Sequence, residues 1–419
     1  MIPFIKEGTF LHKYMEYMSV QETPREYDFA CGLWCVSVAL GRSVIVDRPR
    51  APVHLNVYMI LVSESGILRK SSSIRVATGL VRDLLYRQQS KMLLIESKIT
   101  MGALLNELSR STQQGNGAQV LLVASELAAM LGRGTNIAGI PALLTDLYDC
   151  PDERVGGGSL STGSFNLRDV YCSFLAGSTP SWLATAVRPE IVAGGFTSRC
   201  YFIHGRERKR LVAWPDATSE REEQLRKELI DELQRLSSDS ISNSRIGIST
   251  GAKDTFTKWY EQRRVHRDTY RESFESREDA HVLRLAGLMA INDRHWHVSD
   301  DHIRRAINLV VEYKRYGTEL FTGTRAEKRD VKLLAKMRAE LIAAGSSGVA
   351  RGDLYRRLNL SGGSGMEMRA IISVLHELDL IKVYDVQGAT GRPKQVLVAT
   401  EYLKNDLLLE EVANKLGME

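Results

Sequence analysis

The chain has 419 residues, 43% hydrophobic and 26% charged, with a formal net charge of +5. These numbers fit a globular chain of roughly two to four domains and permit contact with nucleic acid without arguing for it. No uninterrupted apolar run approaches the roughly 20 residues of a membrane-spanning helix, so a membrane is excluded as a partner.

The five cysteines, Cys31, Cys35, Cys150, Cys172 and Cys200, are scattered and lack paired zinc-ligand spacing. With no signal peptide at the start of the sequence, they point to reduced thiols in a cytoplasm. Residues from about Pro3 to Gly41 read as two helices, an N-terminal collar over residues 1–48. The second helix, Tyr27–Leu40, carries Phe29, Leu33, Val36 and Leu40 at helical spacing. Cys31 and Cys35 lie one turn apart within it and read as packed core thiols.

From Leu55 to about Gly205, strand-like apolar runs alternate with helical ones. The runs are Leu55–Val62, Met92–Glu96, Gln119–Ala124, Val170–Ala176 and Cys200–His204, and the helices include Ser71–Gln89 and Met101–Ser109. Alternation of this kind predicts an α/β core over residues 49–215, a mainly parallel sheet covered by helices with ligands at the carboxyl ends of its strands. Asp152–Asn166, rich in Gly and Ser, reads as a loop or hairpin projecting from that core.

Past the basic cluster Arg206–Arg210 the composition turns to polar helix: Glu220–Leu236, Asp254–Glu275, Arg277–Ile291 and Asp300–Tyr316. These make a helical domain over residues 216–325, and the i, i+4 leucines Leu225, Leu229 and Leu233 mark an ordinary half-buried helix or a coiled coil. From residue 326 the pattern is three helices, Val331–Ala344, Ala350–Leu358 and Gly365–Leu378, then strands Ile381–Val386 and Gln395–Ala399 about a Gly388–Pro393 turn. That is a winged helix-turn-helix outline. Arg351, Arg356, Arg357, Arg369, Arg392 and Lys394 are its candidate nucleic-acid contacts; docking on a protein is the other use of such a domain.

Chemistry concentrates around Lys70. The stretch Ser63–Ser72 follows an apolar run and opens an amphipathic one, the strand, loop, helix order that nucleotide phosphates require. Ser65, Gly66, Arg69, Lys70, Ser71 and Ser72 are the expected ATP contacts, with Lys70 on the β/γ-phosphates and a Ser71 or Ser72 hydroxyl on Mg²⁺. The consensus G-x-x-x-x-G-K-[ST] would have glycines where this chain has Glu64 and Arg69. A carboxylate at about 4 Å from a phosphate charge costs roughly 4 kcal/mol at an effective dielectric of about 20, so the direction of Glu64 matters.

Gln119–Ala124 ends in Ser125 and Glu126. Glu126 has the position of a water-orienting or metal-binding acid, while Ser125 occupies the usual place of an Asp. Ser178 and Thr179, ending another strand, are either γ-phosphate sensors or the N-cap ahead of Pro180. Arg199 is either an arginine finger supplied to a neighbouring subunit or a structural salt bridge. The carboxylates of Asp146–Asp152 read as a capped helix end, with metal binding as the alternative, and His295 and His297 lack a third ligand.

Taken together these segments resemble the helicase-like P-loop ATPases of phages, prophages and plasmids, a family often fused to primases. Arg69–Ser71, Ser125–Leu127, Leu147–Asp152, Thr179–Pro180 and Gly194–Arg199 occur in the order seen there, and the resemblance covers roughly residues 5–320. An Arg before the loop Lys is familiar in such proteins; Glu64 is the departure. The resemblance implies a RecA-like or AAA+-like core, a ring that is usually hexameric with ATP between subunits, single-stranded DNA through its centre, and a bacterial or phage-infected cytoplasm. No primase module is present, so priming would come from a replication partner.

The expected function is an ATP-dependent DNA helicase or translocase, with Lys70, Glu126 and Arg199 as its catalytic set and Ser71 and Glu126 on Mg²⁺. The alternatives are a replication scaffold or loader with a decayed phosphate loop, and a transcription regulator built around the terminal domain.

Overall fold

The computed structural model describes residues 2–96, 98–131, 139–157, 164–186, 195–214, 216–242, 244–263, 269–323, 336–358, 372–373, 375–376, 380–387 and 393–400. The chain divides into two compact units, Met1–Thr318 and Glu319–Glu419. No helix among the described residues is long and apolar enough to cross a membrane.

The first unit opens with α1 (Phe10–Tyr17) and α2 (Arg25–Leu40), then a short antiparallel pair, β1 (Ile45–Val46) and β2 (Val53–His54). Next come β3 (Tyr58–Val62), α3 (Lys70–Arg87), β4 (Leu93–Ile95), α4 (Met101–Gln113), β5 (Gln119–Ala124), α5 (Leu127–Leu131) and α6 (Gly139–Leu147). A hairpin of β6 (Glu153–Gly157) and β7 (Ser164–Arg168) leads into β8 (Tyr171–Ser178), α7 (Pro180–Ala186) and β9 (Cys200–His204).

The five apolar runs form one sheet, all parallel, in the order β4-β5-β8-β3-β9. Every residue of β3 and of β8 is buried. A strand paired on both sides and covered on both faces has no wet side, which is why these runs show no polar alternation. The expected strand from Leu55 starts at Tyr58, because the Asn56 side chain donates to the carbonyls of Tyr148 (2.8 Å) and Cys172 (3.0 Å) and holds the lead-in outside the ladder.

Helices from both ends of the unit cover this sheet. From Tyr27 to Leu40 every residue of α2 is buried, so the helix is apolar all round rather than amphipathic. It packs on β3, β8, β9 and α3, and Glu220–Ser242 packs on α1, α2 and α3. The helix Asp300–Thr318 lies on β9 and on its neighbour Glu278–Asn292, which is buried at every residue from His281 to Asn292. The expected helix over Asp254–Glu275 is two, Thr250–Gln262 and Thr269–Glu275, since Arg263 is extended (ψ 135°) and ends the first. A small second sheet, order β11-β10-β1-β2, adds β10 (Arg245–Ile248) and β11 (His297–Val298), both parallel to their neighbours.

The second unit has helical residues 336–344, the helix Arg351–Arg357, and a three-stranded antiparallel sheet of β12 (Val349–Ala350), β13 (Ile381–Gln387) and β14 (Pro393–Ala399). The expected two-stranded ribbon gains β12 because Val349 and Ala350 pair with Leu397 and Val396. Its core holds Met337, Leu341, Val349, Leu354, Leu380, Ile381 and Leu397 with Ile372 and Leu375. Arg369, Arg392 and most of the expected helix Gly365–Leu378 lie outside the described residues.

Candidate functional site

The connections β4 to β5, β5 to β8 and β8 to β9 all step one way across the sheet, whereas β3 to β4 runs the other way. The neighbours β3 and β8 therefore send their connections in opposite directions, and the carboxyl edge between such a pair is where open α/β sheets take ligands. The loop leaving β3 at that edge is Ser63–Arg69, and Lys70 begins α3.

Lys70 folds back over its own loop. Its ammonium donates to the Ser63 carbonyl at 2.6 Å, the Ser63 hydroxyl at 2.9 Å and the Glu64 carbonyl at 3.1 Å. Burial pulls its pKa below the ordinary lysine value, and the neighbouring carboxylates of Glu64 and Glu126 oppose that pull. Glu126 is thus within electrostatic range of Lys70, as an acid at the end of β5 should be.

The loop carbonyls that are bonded face Lys70 or outward; Ser65–Ile67 form a turn, and among the described residues the amides from Glu64 to Arg69 make no backbone hydrogen bond of good geometry. The amides of Lys70 and Ser71 follow at the helix start, where intrahelical partners are lacking. Two residues make this turn possible, Gly66 at φ 75° and Arg69 at φ 52°. Arg69 thus adopts the left-handed conformation that the consensus assigns to glycine. Glu64 is exposed, and Arg69 pairs with Glu22 (2.9 Å) rather than with Glu64.

The end of β8 supplies the facing wall. Ser63 donates its amide to the Ser178 carbonyl at 3.3 Å, which ties the loop to the strand. The Ser178 hydroxyl is buried and has no partner. An unsatisfied buried hydroxyl costs on the order of 1–3 kcal/mol, and this one lies at the carboxyl end of β8 beside the loop. Thr179 caps α7, its hydroxyl accepting from the Trp182 amide at 3.2 Å. One position earlier, Gly177 lets β8 pass the Ser125 carbonyl: a Cβ there would stand 2.5 Å from that oxygen. Ser71, Ser125 and Glu126 are exposed at the same edge.

Four further residues brace the loop from outside it. Arg208 donates to the carbonyls of Ile67 and Gly66 (3.4 Å for Gly66) and to the Glu22 carboxylate at 3.2 Å. Glu22 also accepts from the Val212 amide at 3.2 Å, and that amide together with the Arg69 and Arg208 guanidiniums holds its carboxyl below the usual range. Beneath the first turn of α3, Asp28 accepts from Thr23 (2.7 Å), Ser73 (3.2 Å) and Lys209. Burial raises the Asp28 carboxyl to about 6, with Lys209 pulling the other way. Apart from the basic run at 206–210, no local pattern marks these residues.

Arg199 sits away from this edge. It immediately precedes β9, whose first residue Cys200 pairs with Tyr58 at the start of β3, whereas the Lys70 loop leaves the other end. Its guanidinium is buried, donates to the Gly195 carbonyl (2.9 Å) and to Asp149 (3.3 Å), and lies over the Tyr148 ring. The salt-bridge reading is the one this geometry displays. The neighbouring carboxylates are paired too: Asp146 with Arg154, Asp149 with Arg277 and Asp152 with Arg42. All five cysteines are free and buried. Among the described residues the single group with metal-ligand spacing is Asp293, Asp301 and His302, and Arg305 already pairs with both carboxylates.

In the second unit Arg351, Arg356 and Lys394 line one cleft of about 700 Å³ with Tyr355 and Gln395. Arg351 donates to Gln395 at 2.7 Å and Arg356 pairs with Asp353, while Arg357 pairs with Glu340 at 3.1 Å.

No family model matches this chain, and no curated protein matches it.

Proposed function

We propose that the chain is an ATP-driven DNA helicase or translocase of a phage or other mobile element, binding ATP at the Lys70 loop. The observation that carries the nucleotide reading is the turn from Glu64 to Arg69 leading into the α3 N-terminus, whose amides make no backbone hydrogen bond of good geometry among the described residues, with the Lys70 ammonium folded back on the Ser63 and Glu64 carbonyls. Free amides, a helix start and a cation together form an anion cradle that suits a triphosphate. The orphaned Ser178 hydroxyl adds an acceptor-seeking group at the γ end. Ser71 and Glu126, exposed beside the loop, would hold Mg²⁺, which would supply positive charge to neutralise the phosphates.

In this reading Lys70 binds the β/γ-phosphates, Glu126 orients the attacking water, and the first-turn amides of α3 take the spreading negative charge. The motor, the ring of six copies and single-stranded DNA as the track rest on the resemblance described above. Arg199 enters as a trans-acting residue only if a neighbouring subunit draws it away from Asp149. The basic cleft of the second unit, read as a winged domain, engages DNA or a replication partner.

ATP hydrolysis should be stimulated by single-stranded DNA, abolished by Lys70→Ala and nearly abolished by Glu126→Gln with binding retained. Equal phosphate release from wild type and Lys70→Ala would overturn the reading. One observation favours a second one, a scaffold that binds nucleotide without turnover. Among the described residues no hydrogen bond or ion pair fixes the Glu126 carboxylate, and Ser125 stands in the place of an Asp. Mg²⁺-dependent ATP binding with no DNA-stimulated hydrolysis would select it.

A further inference from the structure

The segment that leaves β9 turns back over the phosphate loop and is bonded to it through its side chains. Arg208 donates to the carbonyls of Gly66 and Ile67, two consecutive residues at the loop's apex, and its third contact is the Glu22 carboxylate. Glu22 spends its other oxygen on Arg69, the left-handed residue just before Lys70. Next in sequence, Lys209 reaches the buried Asp28 and the Met18 carbonyl, and Asp28 accepts from Ser73 in the first turn of α3. The loop is therefore gripped at its apex by Arg208 and at its exit by Glu22 and Asp28, and these two sets of residues are themselves joined through Arg208–Glu22 and Lys209–Asp28.

Carbonyl and amide of one peptide point in opposite directions. A guanidinium that holds the Gly66 and Ile67 carbonyls outward turns the amides of Ile67 and Leu68 toward the cradle. We infer that Arg208 is the positioning residue of the phosphate loop, acting on the triphosphate through the loop carbonyls and sharing Glu22 with Arg69. The inference rests on the nucleotide reading of the Lys70 loop. It adds that the cradle's shape is set by the strand-leaving segment, so a shift of residues 206–212 would be transmitted to ATP affinity.

The test is titration of the full chain with Mg²⁺–ATP for wild type, Lys70→Ala, Arg208→Gln and Arg208→Lys, together with steady-state kinetics and amide hydrogen exchange across residues 63–72. Arg208→Gln removes the charge-assisted bonds and is expected to raise Kd and KM about 10- to 100-fold with kcat within about twofold, since Arg208 touches no reacting atom. Arg208→Lys, which keeps a cation but not the fork, is expected to recover part of the affinity. Exchange in residues 64–69 should slow when ATP is added to wild type and remain fast when it is added to Arg208→Gln. Arg208→Gln binding ATP like wild type while Lys70→Ala loses it would overturn the positioning role and leave the nucleotide site standing. Lys70→Ala binding as tightly as wild type would overturn both. Should Arg208→Gln fail to fold, Arg208→Lys and exchange on wild type decide: no loss of affinity in the first, or no ATP protection of residues 64–69 in the second, defeats the inference.

Discussion

Arg69 takes a left-handed backbone at φ 52°, a conformation that costs a bulky residue on the order of 1 kcal/mol or more. The Glu22 carboxylate, anchored by two guanidiniums and an amide, sits where it can hold that side chain. The missing consensus glycine is thus supplied in conformation though not in identity. Glu64, the other departure, is exposed and leaves Arg69 to Glu22, so its charge bears on Lys70 from the solvent side, where screening is strong. Gly177 is constrained by contact rather than by φ. Gly177→Ala drives a methyl group against the Ser125 carbonyl and should cost about 1–3 kcal/mol, read as a lowered midpoint in urea; an unchanged midpoint would mean that β5 and β8 separate there at no cost. Lys70, Glu126 and Ser178 are legible in the sequence because each follows an apolar run closely, and position after a strand is position at the sheet edge. Glu22, Asp28 and Arg208 are not. Their partners lie 47, 181 and 186 residues away, and no local pattern encodes a contact that only the closed sheet creates.

At the level of elements, the same logic separates what periodicity reveals from what it hides. The five core strands are readable as apolar runs because burial on both faces removes alternation, and α3 is readable because one face stays wet. Strands of two to four residues such as β1, β10 and β11 carry too few side chains to display any period. The helix Glu278–Asn292 is buried at every residue from His281 onward, and the His281 Nε2 donates to the Ser198 carbonyl at 2.7 Å. Burial, with the Arg284 and Arg277 guanidiniums nearby, drives this imidazole down to about 3, against a partial counter-pull from the Ser198 bond and Asp279. The folded protein keeps His281 neutral where the unfolded chain protonates it, near 6.5. Its contribution is therefore complete above about pH 6.5 and is lost as pH falls toward 3, a loss on the order of 2–4 kcal/mol. Chemical denaturation near pH 7 and near pH 4 should show a larger drop for wild type than for His281→Phe; equal drops would place the imidazole in contact with water.

Across the whole molecule, the chain builds two units with separate cores, and the Lys70 loop with all its braces belongs to the first. Helices from before residue 41 and after residue 220 cover one sheet, which composition shifts along the sequence do not reveal. Removing residues 319–419 should leave ATP binding at the Lys70 loop intact and flatten the salt dependence of DNA binding, since the cleft of Arg351, Arg356 and Lys394 goes with them. Loss of nucleotide binding in the truncated chain would tie the two units together functionally.

In the proposed nucleotide reading the loop meets its anion with backbone amides, so most of its side chains are bystanders. Glu64, Ser65 and Ile67 are exposed and can be exchanged without moving an N–H group; what is fixed is a positive φ at 66 and 69, a cation at 70 and an anchor at 22. A loop specified by torsion angles leaves little trace in letters, because many side chains are compatible with one backbone path.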